Sequence, residues 1–364
     1  MQIGMSAYSS PTGMASDWPM ARAVAGLSAV PVGHAIDLAL FFPDETQARP
    51  DALIAETRRH LGGCITAIEI ALRLSLDHVP GIAAALDRWP TPIVWATVQA
   101  QPTLLGPGLL AHMQMRAGVT LMLRQFGQGD AEQLDAVEEG LTPSTDDPQL
   151  GDALSALAIA EGRWIAAAGE DAPMKPDLPV EYFADLMWTV AACLGVVAQR
   201  TMVEGGDRVL AAFDRSGWVL LRDHDEAACP ISQADKVVRK MGERADVPAL
   251  LGALLGQRRF LLFAAVAARR LRIDSRQMVA MLVMEPVSQL AMLCRALGGS
   301  SADHRHLLLA LRPVRPFLSD VAIVAEAERY GMLTVAQADS AIGALRTAPA
   351  LRAKLDHLRA VTGA

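Results

Sequence analysis

The sequence predicts an all-α protein, and three observations predict it. Apolar residues recur at steps of three and four in segment after segment, the spacing of one helix face. No run alternates apolar and polar residues in the way a half-buried strand does. Aromatic residues are scarce, with 6 Trp, 3 Tyr and 8 Phe in 364 residues, whereas all-β proteins depend on aromatic and β-branched side chains. About half of the chain, 52 %, is apolar, so it can bury enough surface to offset chain entropy. The expected arrangement is stacked helix pairs, either a HEAT-like α-solenoid or two helical subdomains.

From the start, residues 1–16 are small and polar and read as a disordered terminus without a signal peptide. Ser16-Asp17-Trp18-Pro19 then offers capping residues ahead of a proline, a helix start. Ile65, Ile68, Leu72 and Leu76 form the stripe of an amphipathic helix, with Glu69 and Arg73 paired four apart in acid-before-base order. The stretch 92–98 (PIVWATV) is the one ambiguous run, because short apolar runs do not separate helix from strand. Phe183, Leu186, Val190, Leu194 and Val197 mark another helix, and Leu351, Leu355, Leu358 and Val361 a last one. Punctuators such as Gly62-Gly63, Pro80-Gly81, Gly106-Pro107-Gly108 and Gly298-Gly299 separate roughly 15 helices.

Two stretches read as linkers: 142–149 (TPSTDDPQ) and 171–179 (DAPMKPDLP). The second holds three prolines in nine residues and is the better boundary. The expected organisation is therefore a helical domain over 17–170, a linker over 171–179 and a helical-repeat domain over 180–364. Val247-Pro248-Ala249-Leu250-Leu251 and Glu285-Pro286-Val287 open apolar helices with prolines 38 residues apart, within the period range of HEAT repeats. Such pairs cannot bury their own apolar faces and are stabilised by stacking on neighbours.

Four separated cysteines (Cys64, Cys193, Cys229, Cys294) without a Cys-x-x-Cys pair read as reduced thiols. The uncharged segment 186–198 is shorter than the roughly 20 residues a membrane span needs. The expectation is a cytoplasmic protein that does not enter a membrane. A net charge of −7 disfavours nucleic acid as a partner. Charge is uneven, however. Residues 125–162 carry nine acids and no Lys or Arg, whereas 235–276 carry ten bases against four acids. The acidic segment reads as a solvated helix pair, or as a docking surface for a basic partner.

Leu40-Phe41-Phe42-Pro43-Asp44-Glu45 precedes a helix with Arg58 and Arg59, and the next pattern carries Ile68-Glu69 and Leu72-Arg73. Further on, Leu254-Leu255-Gly256 and Phe260-Leu261-Leu262-Phe263 lead to Ala267-Ala268-Arg269-Arg270. Together these resemble the alphaproteobacterial DUF2336 family, most clearly over 248–311. The resemblance implies an all-helical, HEAT-like fold and supplies no catalytic residues.

The sequence carries no familiar catalytic motif. The four lysines lack a phosphate-loop context, and Gly127-Gln128-Gly129 runs on to Glu132 where a dinucleotide fingerprint requires glycine or alanine. His304 and His306 stand two apart, about 200° around a helix, so they cannot share a metal and read as solvated or locally bonded. Asp223-His224-Asp225-Glu226 is the densest polar cluster. It reads as an inter-helix loop, or as a carboxylate-oriented imidazole able to act as a base or hold a metal. Met278, Met281 and Met284 read as core filler, or as an adaptable partner groove.

The arginines carry the strongest positive signal. If residues 258–272 form one helix, Arg258-Arg259 and Arg269-Arg270 project from one side, about 16 Å apart. They then either bind phosphate, a nucleotide or acidic helices, or neutralise neighbouring carboxylates and helix C-termini. With 29 Arg against 4 Lys, arginine is this chain's default base. The functional expectation is a non-enzymatic helical-repeat module, regulatory or scaffolding, without cofactor or metal, that binds protein. The alternative is an anion- or nucleotide-responsive regulator using the four arginines. Homo-oligomerisation is left open.

Overall fold

The computed structural model describes residues 52–347 apart from 90–91, 128–146, 167–168, 203–205, 285–286 and 316–317, together with 351, 354, 355 and 358. Outside the described residues lie the N-terminal segment with its Ser16–Pro19 helix start, the Leu40–Glu45 motif, residues 128–146 of the acidic segment, Pro286 and Val361 of the final stripe. The chain runs through α1 (Ala52–Leu76), α2 (Pro80–Leu86), α3 (Ile93–Ala100), α4 (Pro107–Gly127) and α5 (Pro148–Ile165). It continues through α6 (Val180–Thr201), α7 (Gly206–Arg222), α8 (Pro230–Met241), α9 (Leu250–Gly256) and α10 (Phe260–Leu271). The last are α11 (Ser275–Val283), α12 (Val287–Ala296), α13 (Ser301–Ala310), α14 (Asp320–Met332) and α15 (Val335–Leu345). Short 3₁₀ turns are interspersed and the described residues contain no strand, so the fold is all-α. The ambiguous stretch 92–98 is helical: Ile93 to Val98 lie in α3.

Two compact units divide the chain, Met1–Met113 with Ala168–His224 and Gln114–Ala167 with Asp225–Ala364. Each is assembled from two separate stretches of sequence. The expected division at 171–179 is thereby corrected. That segment belongs inside the first unit, with Met174, Asp177 and Leu178 buried. Its prolines do exclude helix, as expected, but an extended strap can still pack. Here it runs over the Gly62-Gly63 face of α1, where Met174 N–H donates to the Gly63 carbonyl at 2.9 Å. Arg58 anchors the start of the strap through an ion pair with Glu170 at 3.1 Å.

A β-carbon at Gly62 would stand 2.1 Å from the Glu170 carbonyl oxygen, a backbone atom that cannot swing aside. Gly62→Ala is therefore expected to cost about 1–3 kcal/mol despite its better helix propensity. Urea unfolding checks this; an unchanged or raised midpoint would show that the strap yields freely.

In the first unit α6 is the organising helix, packing against α1, α2, α3 and α7. Phe183, Leu186, Val190 and Leu194 are buried as their spacing predicts. Among the described residues α6 is also the one helix long and apolar enough to cross a membrane. Glu69 is wholly buried on α1. It accepts from Arg73 Nε at 3.0 Å and from the Ile93 and Val94 N–H groups at 3.3 and 3.0 Å, which caps α3 from a neighbouring helix.

In the second unit α10 is the central helix. It packs against α8, α9 and α11, and ten of its twelve residues are buried. α5 pairs with α8, α12 with α15, and α13 with α14. Met278 and Met281 fill the core as expected, whereas Met284 is exposed at the end of α11. All four cysteines are free; Cys64, Cys229 and Cys294 are buried.

Candidate groove in the second unit

The continuous helix expected over 258–272 does not form. α9 ends at Gly256, Arg258 takes the left-handed conformation at φ 60°, Arg259 caps α10, and Arg272 at φ 55° ends it. The turn lets the N–H groups of Arg258 and Arg259 satisfy the Leu255 and Leu254 carbonyls, closing α9 before α10 begins. The arginine pairs are therefore not one array on a single helix face. Arg258 reaches the Phe126 carbonyl, and Arg259 is exposed with its charge acting on Glu161. Arg269 forms a two-bond pair with Asp246 at 3.1 and 3.0 Å. Arg270 donates through Nε and Nη2 to the carbonyls of Ala245 and Val247.

Arg270 also faces a groove of about 400 Å³. One wall is α9 and α10, contributing Leu251, Leu255 and Phe263; the other is the α12–α13 corner, contributing Leu293, Cys294 and Leu307. The polar side chains lining it are Arg270, Asp303 and His306. The corner is built by local rules. Gly298 at φ 80° ends α12, and Gly299 N–H returns to the Cys294 carbonyl at 2.9 Å, a Schellman-type closure. Ser300 then caps α13, and Asp303 accepts from both the Ser300 N–H and hydroxyl at 2.7 Å. Those bonds hold the Asp303 carboxyl below the usual carboxylate range.

Behind the corner, Tyr330 is clamped between two side chains. The Arg295 guanidinium lies 4.4 Å from its ring centre, and the His304 ring stacks on it at 4.5 Å. The Tyr330 hydroxyl donates to the Gly299 carbonyl at 2.5 Å. Burial raises the Tyr330 phenol and the Cys294 thiol above their ordinary values, so neither ionises readily. The expectation for His304 is corrected: it is fully buried, and neither ring nitrogen has a hydrogen-bond partner among the described residues. Burial depresses it to about 4, so the imidazole is neutral. His306, two residues on, is exposed at the groove, so the two project apart as the helix period requires.

The Asp223–Glu226 cluster is dispersed. Asp223 pairs with Arg222 in solvent, Asp225 caps a 3₁₀ turn, and Glu226 lies 3.7 Å from Arg276. His224 stacks on Phe183, and its Nε2 lies 2.8 Å from the Leu178 carbonyl, which orients it without a carboxylate. No group of three potential metal ligands occurs among the described residues.

A polar cluster that the sequence reading missed lies on α1, where Glu56, Arg59 and His60 are all buried. Burial alone would raise the Glu56 carboxyl. Hydrogen bonds from His60 and Arg59, with their charge, outweigh it and hold it at about 2. The three-and-four spacing of these residues was a readable signal of a shared face.

In the first unit the antiparallel pair α6–α7 leaves an apolar surface open. Trp218 is 61 % exposed, Leu210 51 % and Val196 45 %. Trp188 packs edge-to-face on Trp218 at 5.6 Å, and Leu210 lies against Gly195. Gly217 is what brings the helices together, since a β-carbon there would stand 2.6 Å from the Trp188 ring. No family model, curated protein or solved structure matches the chain.

Proposed function

We propose that this chain is a non-enzymatic helical interaction module, regulatory or scaffolding in role and cytoplasmic, which grips a protein partner through exposed helix faces. The observation that carries this reading is the open α6–α7 surface, where Trp218, Leu210 and Val196 stay in solvent beside Trp188. Apolar patches of this kind mark interaction sites, and tryptophan is enriched among the side chains that dominate such contacts. A HEAT-like arrangement is supported by the pairing of successive helices, α6 with α7, α10 with α11 and α13 with α14.

Trp218→Ala and Leu210→Asp test the reading. Each substitutes an exposed residue, so unfolding stability is expected to change by only about 0.5 kcal/mol. Both variants should lose the protein that the immobilised wild-type chain holds in stoichiometric amount. Equal retention by wild type and variants would remove the reading. A fall in sedimenting mass of the variants alone would identify the partner as a second copy.

The second reading, an anion-responsive regulator using Arg258, Arg259, Arg269 and Arg270, is favoured by one observation: the Arg270 guanidinium faces a groove.

A further inference from the structure

We infer that the groove of the second unit binds an amphipathic monocarboxylate, an acyl chain ending in one carboxylate, with Arg270 as its counter-ion. The inference rests on the anion-responsive reading and narrows it to one arginine and one ligand class.

The groove's volume falls in the range of small-ligand sites, and its surface is more apolar than polar. Leu251, Leu255, Phe263 and Leu293 are nearly inaccessible to solvent yet line it, so an aliphatic chain would meet an already dehydrated wall. Charge decides the head group. Arg270 is held in place by the Ala245 and Val247 carbonyls through Nε and Nη2, while its Nη1 makes no hydrogen bond to the described residues. Partial burial makes that cation harder to hold; the adjacent Asp246 offsets this in part through its charge, but its hydrogen bonds go to Arg269. Across the groove Asp303 stays ionised, its Oδ2 bonded to Ser300 at the α13 N-terminus, so an anionic head is repelled from that end and directed toward Arg270. A carboxylate is thus the head group that complements the Arg270 end, where the Nη1 of the guanidinium can donate to it. An amine head would oppose Arg270, and a neutral head would bring no charge to its Nη1.

The probe is decanoate below its micelle-forming concentration, titrated calorimetrically into the full chain, with decanol and inorganic phosphate in parallel. Gly252→Phe supplies the steric control: Gly252 lines the groove, and a β-carbon there meets nothing within 4 Å. We expect one decanoate per chain, roughly 10- to 100-fold weaker binding by Arg270→Gln, partial recovery in Arg270→Lys, and none by Gly252→Phe with its fold intact by circular dichroism. Equal binding of decanol and decanoate would overturn the carboxylate assignment. Binding of phosphate through Arg270 without decanoate would overturn the amphipathic ligand while leaving the anion-responsive reading standing. Absence of heat with either anion would remove both.

Discussion

Replacing Glu69 by alanine is expected to destabilise the first unit by about 3–5 kcal/mol, the cost of breaking a buried ion pair from one side. The carboxylate is fully buried and serves three donors: the Arg73 guanidinium and the two N–H groups that open α3. Alanine strands the two N–H groups and leaves the only slightly exposed Arg73 with the Leu86 carbonyl and no carboxylate. Glu69→Gln keeps an oxygen for the α3 N–H groups and loses only the charge, so it should cost less. For a unit of this size the alanine variant should melt about 6–20 °C lower. A thermal scan of the two variants checks the order. If alanine and glutamine are equivalent, the carboxylate does not hold α3 in place.

The second large effect concerns acid and base in the second unit. His304 accepts a proton near 6.5 when unfolded but only at about 4 when folded. Between those values the unfolded chain binds more protons, so stability falls as pH drops from 6.5 toward 4. Glu161 acts in the opposite sense. Burial raises its carboxyl from 4.5 to about 7, against the attraction of Arg259. There the folded chain holds the extra proton, and stability falls as pH rises from 4.5 toward 7. Each effect amounts to at most about 3 kcal/mol, less for Glu161 to the extent that water reaches it. The two nearly cancel between pH 4.5 and 6.5, and the wild-type urea midpoint should be flat there. His304→Leu should uncover a decline with rising pH, and Glu161→Gln a rise. Identical profiles for wild type and His304→Leu would show that the buried imidazole does not titrate in this window.

Local patterns were legible in the sequence and long-range ones were not. The stripes at Ile65–Leu76 and Phe183–Leu194 became the buried faces of α1 and α6, because helix period and burial are tied to each other within one segment. The Glu69–Arg73 pair could be read from its spacing. Its reach to Ile93 and Val94 could not, since that depends on packing across more than twenty residues. The prolines of 171–179 reported correctly on backbone conformation but are silent about burial, so a packed strap read as a linker. The break at Arg258 was hidden because an arginine occupies a left-handed position usually taken by glycine; Gly256 was the one available warning. The groove draws on residues from Pro248 to Leu307, and no short-range spacing connects Arg270 to His306.

The interleaved composition of the two units has a consequence for biosynthesis. The first unit needs residues up to His224, so it is incomplete until that point has left the ribosome. By then α5 has already emerged, with its Leu150, Leu157 and Trp164 stripe, while its partner α8 begins only at Pro230. At synthesis rates of about 5–20 residues per second, that greasy helix waits several seconds for its mate. A nascent chain stalled near residue 225 should therefore be a strong client for ribosome-associated chaperones.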